Sequence, residues 1–117
     1  IIDGCGFEFI QLKALKHSHL KGEKKHRSEL CTLYIRENLS DFKVQKVEAP
    51  DHLNRKDLRL TIDNPEDLVV CRKVFNQLKD QAPQISLEDI ITYLDQNPDL
   101  KGLTYPFTTE GYNTMYI

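Results

Sequence analysis

Leu58-Arg59-Leu60-Thr61-Ile62-Asp63-Asn64-Pro65-Glu66-Asp67-Leu68 is the stretch whose reading decides the expected fold. Leu58, Leu60 and Ile62 alternate with Arg59 and Thr61, the period-two pattern of a strand with one apolar face. Asn64 suits a helix N-cap and Pro65 the first helical position. Glu66 and Asp67 then fall in the first turn, where carboxylates face the positive end of the helix dipole. Asp67, three residues after Asn64, completes a capping-box pattern. Asp63 is not needed as the cap. It falls at the carboxyl end of the expected strand, where ligands gather in open α/β sheets.

Working outward, the clearest helix follows Pro65, with Leu68, Cys71, Val74, Phe75 and Leu78 as its apolar stripe. Ser86 is placed to cap a further helix, with Asp89 at the capping-box position and Ile85 and Ile90 as the flanking staple. Asn97-Pro98 is expected to stop it. Toward the amino end, 7–10 reads as a strand, 12–20 as a short helix and 29–38 as a helix capped by Ser28. Phe42, Val44 and Val47 suggest a second strand. Three strands alternating with four helices predict an α/β layer at the edge of a larger sheet. The tail 101–117 is turn-rich and aromatic and is read as extended.

The 117 residues suit one domain, and 39% apolar with 29% charged residues excludes a disordered chain. No apolar run approaches a membrane span, so no membrane partner is expected. Cys5, Cys31 and Cys71 are odd in number and sit in apolar segments, which reads as reduced core cysteines of a cytoplasmic protein. The net charge of −2 hides an asymmetry: Lys13, Lys16, Lys21, Lys24, Lys25 and Arg27 are accompanied between 13 and 27 only by Glu23. Such a basic arm could contact phosphate or nucleic acid, or be a solvated helix end and loop; the latter is favoured. It lacks the interleaved aromatics of a single-strand binder. The histidines 17, 19, 26 and 52 have neither the spacing nor the cysteine partners of a zinc site.

These segments together resemble the cytidylyltransferases of spore-coat polysaccharide biosynthesis and, more distantly, the sialic acid and keto-deoxy-octulosonate cytidylyltransferases. The stretch 58–68 is similar to their most specific motif. Asp3-Gly4 with Gly6-Phe7-Glu8-Phe9 resembles their glutamate-bearing strand. Glu29, Thr32 and Tyr34-Ile35 resemble a helix of the family, although Leu30, Cys31 and Leu33 replace its histidine, valine and proline. Asn97-Pro98-Asp99-Leu100 and Glu110-Gly111-Tyr112 are similar to its carboxyl-terminal motifs. The family's glycine-, arginine- and lysine-bearing nucleotide loop has no counterpart, since the five glycines form neither G-x-G-x-x-G nor a P-loop.

The resemblance therefore implies the carboxyl-terminal half of a Rossmann-like nucleotide-diphospho-sugar transferase with a three-layer sheet, the nucleotide-binding half being absent from this sequence. It implies a parent enzyme that transfers CMP from CTP to an acidic or surface-polysaccharide sugar and releases pyrophosphate. Asp63 would be a ligand of a Mg2+ ion shared with a carboxylate of the other half. Arg59, Glu8, Glu29 and Thr32 would bind substrate, and no residue is assigned as catalytic. A homodimer is implied, and the fragment alone is expected to be inactive. The alternative is a dimerisation or interaction module without catalysis of its own.

Overall fold

The Asn64-Pro65 signal forms the helix it announces. In the computed structural model, which describes residues 1–115, helix α3 spans Pro65–Leu78 with the Asp67 carboxylate accepting from the backbone N–H of Asn64 at 2.9 Å. Helix α4, Leu87–Gln96, starts where Ser86 accepts from the Asp89 N–H at 3.3 Å. Asn97 ends α4, but Pro98 opens helix α5, Pro98–Met115, through the segment expected to be extended. Leu100, Thr104, Thr108 and Gly111 recur every three or four residues along α5, and Thr104 and Thr108 are buried. That face packs on α3 and α4, so burial overrides the weak helix propensity of Gly102, Pro106 and Gly111. Tyr116 and Ile117, and the side chains from Tyr112 on, lie outside the described residues.

The expected α/β sheet is not formed. Among the described residues there is no strand, and the architecture is helical. The period-two stretch at Leu58 makes one parallel bridge, between Asp3 and Arg59. Its hydrogen bonds run from Asp3 N–H to Leu58 O at 3.2 Å and from Leu60 N–H to Asp3 O at 2.8 Å. The ladder ends because the chain turns at Gly4, whose φ is 90°, and Cys5 N–H folds back to Ile2 O at 3.1 Å. A Cβ at Gly4 would lie 2.7 Å from Thr61 N and 2.8 Å from the Leu60 carbonyl carbon, so this turn requires glycine. The other two expected strands are irregular and exposed: Phe9 is 95% and Val47 83% accessible. Alternation of side chains creates a strand only where a second backbone supplies the ladder.

The chain divides into two compact units. One contains Ile1–Gly6 and the chain from Glu48, with α3, α4 and α5. Its core is Ile2, Leu58, Val70, Val74 and Leu94, flanked by Leu60, Leu78, Leu87, Ile90, Ile91 and Leu100. The inward face of α3 is thus Asp67, Val70 and Val74, rotated from the expected stripe, and Leu68 and Phe75 are exposed. The other unit, Phe7–Val47, holds α1, Leu12–Lys21, and α2, Leu33–Glu37, the latter much shorter than the expected 29–38. Buried Ser18, Thr32 and Ile35 form its interior. Edge-to-face rings help close it, with centroids 5.1 Å apart for His26 and Tyr34 and 5.5 Å for His17 and Phe42. No helix of the described residues is long and apolar enough to cross a membrane.

Candidate functional site

Arg59 and three aspartates form the most strongly determined polar cluster in the unit built on α3. The extended segment at 58–60 carries Arg59, the bridge brings Asp3 beside it, and the cap of α3 supplies Asp63 and Asp67. Arg59 Nε donates to Asp67 Oδ1 at 2.9 Å and Nη1 to Asp3 Oδ2 at 2.6 Å. Nη2 donates to Asp63 Oδ2 at 2.5 Å and to Asp67 Oδ2 at 3.3 Å. Asp67 Oδ2 also accepts from the backbone N–H of Asp63 at 3.0 Å. One carboxylate therefore caps the helix, fixes the backbone at Asp63 and holds the guanidinium. Burial opposes the Arg59 charge, but the Asp67 hydrogen bonds and the charges of Asp67 and Asp3 hold its pKa above the ordinary arginine value. Burial likewise works against the Asp67 carboxylate, yet Arg59 and the two backbone N–H groups bring its pKa below the usual range.

Accessibility divides the cluster sharply. The side chains of Arg59, Asp3 and Asp67 are 4%, 2% and 0% exposed, whereas that of Asp63 is 67% exposed. Arg59, expected on a polar surface reaching for a sugar anion, is turned inward with every guanidinium nitrogen donating to a carboxylate. Sequence reasoning assigned Asp67 to the cap but missed Asp3, whose partner lies 56 positions away. Gly111 of α5 is the other missed member. A Cβ there would overlap Arg59 Nη1 and Asp3 Oδ2, so glycine lets the helix lie directly against the ion pair.

The donor set limits what the cluster can do with a metal. The centre among Asp3, Asp63 and Asp67 is filled by a guanidinium, and no group of three or more His, Cys, Asp or Glu among the described residues could hold an ion. The accessible Asp63 carboxylate fits one role, a single ligand to a cation completed by other groups. That is within the habit of Mg2+, which takes one or two carboxylates with phosphates and waters.

Glu8 and Thr32 of the other unit are brought together, as Thr32 Oγ1 donates to Glu8 Oε1 at 3.3 Å. Arg36, which sequence reasoning passed over, donates to Thr32 Oγ1 at 3.2 Å and to Glu8 Oε1 at 3.4 Å. Its spacing of four residues from Thr32 was the available signal. Glu29 is exposed and does not join them. Cys31 is exposed too, unlike the expected core thiol, whereas Cys5 and Cys71 are half-buried and burial pushes both thiols up.

A second ionic network ties the loop before the bridge to the last two helices. Arg55 bonds Asp57 at 2.8 Å and Asp95 at 2.6 Å, and Lys101 bonds Asp57 at 2.9 Å. Arg55 first, then Lys101, holds the Asp57 carboxyl well below the usual carboxylate range. Asp57 and Asp67 both have folded pKa values below the unfolded value of about 3.9. Their stabilisation is therefore complete above about pH 4 and is lost as pH falls through the folded values. Thermal melts are expected to give a level midpoint between about pH 7 and 5 and a falling one below about pH 4. A midpoint that is level to pH 2 would rule out this linkage.

Comparison with known proteins adds two relatives. Over 117 residues the chain is 32% identical to an uncharacterized protein of Methanocaldococcus jannaschii, an alignment covering 98% of this chain and 46% of the relative. Over 82 residues it is 34% identical to the spore coat polysaccharide biosynthesis protein SpsF of Bacillus subtilis, covering 70% of this chain and 34% of that protein. No family model matches. No solved structure matches. The chain spans less than half the length of either relative, and over that span it is related to a protein of spore-coat polysaccharide biosynthesis.

Proposed function

We propose that this chain is part of a cytidylyltransferase that transfers CMP from CTP to an acidic or surface-polysaccharide sugar, releasing pyrophosphate. The observation that carries the reading is the contrast within the Arg59 cluster: one carboxylate, Asp63, is presented to solvent on a buried, fully hydrogen-bonded support. Exposure alone is ordinary for an aspartate, but a carboxylate whose side chain and backbone N–H are both held by buried groups has the access and the fixed geometry that meeting a ligand needs. Similarity to the spore-coat polysaccharide protein supports the reaction class.

In this reading Asp63 contributes one ligand to Mg2+, and the ion when bound neutralises charge on the reacting phosphate. Asp67 holds the Asp63 backbone N–H, and Arg59 holds its side chain, so the free face of the carboxylate keeps one direction. Asp3 keeps the guanidinium from rotating toward the ligand. In the other unit, Glu8 and Thr32 supply an acceptor and a hydroxyl for a sugar, with Arg36 orienting both.

The test is magnesium-dependent pyrophosphate release from CTP with a panel of acidic sugars, using the complete reading frame and its Asp63→Asn variant. The amide keeps the shape and loses the charge. Release is expected to fall at least about a hundredfold, as for loss of an electrostatic group at a reacting phosphate, with an unchanged melting midpoint. An undiminished rate in Asp63→Asn would remove Asp63 from the chemistry.

A further inference from the structure

The basic arm left unused by the nucleotide chemistry lies on α1, and its side chains are arranged for a different task. Leu12, Leu15 and Leu20 of this helix are 65%, 37% and 81% exposed, an unusual concentration of open leucine on ten residues. Successive helical residues are rotated by 100°, which places Leu12, Leu15, Lys16, His19 and Leu20 on one face. Those residues line a shallow groove of about 620 Å³, continued by His26, Arg27, Ser28 and Cys31. No carboxylate lines it.

Charge completes the pattern. Among the described residues, Lys13, Lys16, Lys21 and Lys24 have no carboxylate partner, and Arg27 is held only by His19, at 3.0 Å from its Nδ1. Lys25 differs, being paired with Glu37 at 2.7 Å. Outside the arm, Arg36, Arg55, Arg59 and Lys101 meet aspartate or glutamate, while Lys43, Arg72, Lys73 and Lys79 do not among the described residues, so what sets α1 apart is open leucine beside its cations. Exposed leucines beside unpaired cations suit an occupant that is apolar and anionic at once.

We infer that α1 and the turn after it form an interfacial membrane-binding element for anionic lipid. The leucines would enter the boundary between headgroups and acyl chains while the lysine stems extend toward the phosphates. Attraction to an anionic leaflet acts on the same cations and weakens within a Debye length. A short helix with three leucines gives reversible attachment, not a span. A polyanion such as nucleic acid would use the cations but would have no use for the leucines.

The experiment is vesicle co-sedimentation of the complete reading frame at low and at 0.5 M salt. Vesicles of phosphatidylcholine with 30% phosphatidylglycerol are compared with phosphatidylcholine alone and with single-stranded DNA. The variants are Leu12→Ser/Leu20→Ser and Lys13→Gln/Lys16→Gln/Arg27→Gln, with circular dichroism to confirm that each retains its helix. Expected is binding to the anionic vesicles only, reduced at least tenfold by either variant and by salt. Absence of binding to anionic vesicles overturns the inference. So does binding that survives removal of both leucines, or DNA binding that depends on the same cations while vesicles are not bound.

Discussion

Replacing Arg59 by methionine is expected to unfold the unit built on α3, α4 and α5 rather than to lower activity alone. The substitution keeps much of the apolar stem but leaves Asp3 and Asp67, 2% and 0% exposed, without a counter-ion. Breaking a buried ion pair by removing one member costs about 3–5 kcal/mol, and here one cation serves two buried anions. A domain of this size has only about 5–15 kcal/mol in all. Arg59→Lys is expected to rescue little, since one ammonium cannot serve three carboxylates from the directions that the guanidinium fork reaches. Urea denaturation followed by circular dichroism measures both variants. An Arg59→Met protein with an unshifted midpoint would mean that the cluster contributes nothing to the fold.

Gly111→Ala should be the most damaging single-methyl substitution in α5. In most helix interiors the change from glycine to alanine stabilises by about 0.5–1 kcal/mol. Here the added Cβ overlaps Arg59 Nη1 and Asp3 Oδ2, and neither group can withdraw without leaving its charge-assisted bond. Overpacking of a close-packed site costs about 1–3 kcal/mol before any loss from the ion pair is added. Gly102→Ala, in the same helix with nothing within 4 Å of its Cβ, is the matched control and is expected to stabilise. Opposite signs for the two changes in thermal melts would confirm that Gly111 is kept for space. Equal signs would show that α5 can shift away from the cluster.

The parts of this fold that were legible are those that local chemistry determines. Asn64, Pro65 and Asp67 located the start of α3, and Ser86 with Asp89 located the start of α4, because capping acts within four residues. The helix at Leu12 was legible from its leucine spacing and not from a cap, since Gln11 makes no side-chain capping bond, and those leucines turn out exposed rather than inward. Whatever depends on distant partners was not legible. Leu58 to Ile62 has the alternation of a strand, yet its ladder stops at Gly4, and Ile62 is 54% exposed. The tail beyond Lys101 has glycines and a proline that argue against a helix, and only the surface offered by α3 and α4 overrides them. Asp63 was singled out because it was surplus to the cap, and the structure leaves its carboxylate exposed on the Arg59 cluster. Arg59 was read as a surface cation because its burial depends on Asp3 and Gly111, both more than 50 positions away.

The order in which the two units are threaded has a consequence for how such a chain can diversify. The backbone leaves the α3 unit at Gly6 and re-enters it at Glu48, so the whole of Phe7–Val47 is one excursion between two anchored points. The anchors are held by the bridge at Asp3 and by the Arg59 cluster, neither of which uses a residue of the excursion. Closing a flexible excursion costs only about 0.6 kcal/mol more for each doubling of its length. Insertions in the exposed, irregular stretches at 7–9 and 43–47 therefore add little closure cost, whereas edits at Asp3, Arg59 or Gly111 strike the anchors themselves. Length variation has room to accumulate at those exposed stretches without touching the bridge or the Arg59 cluster.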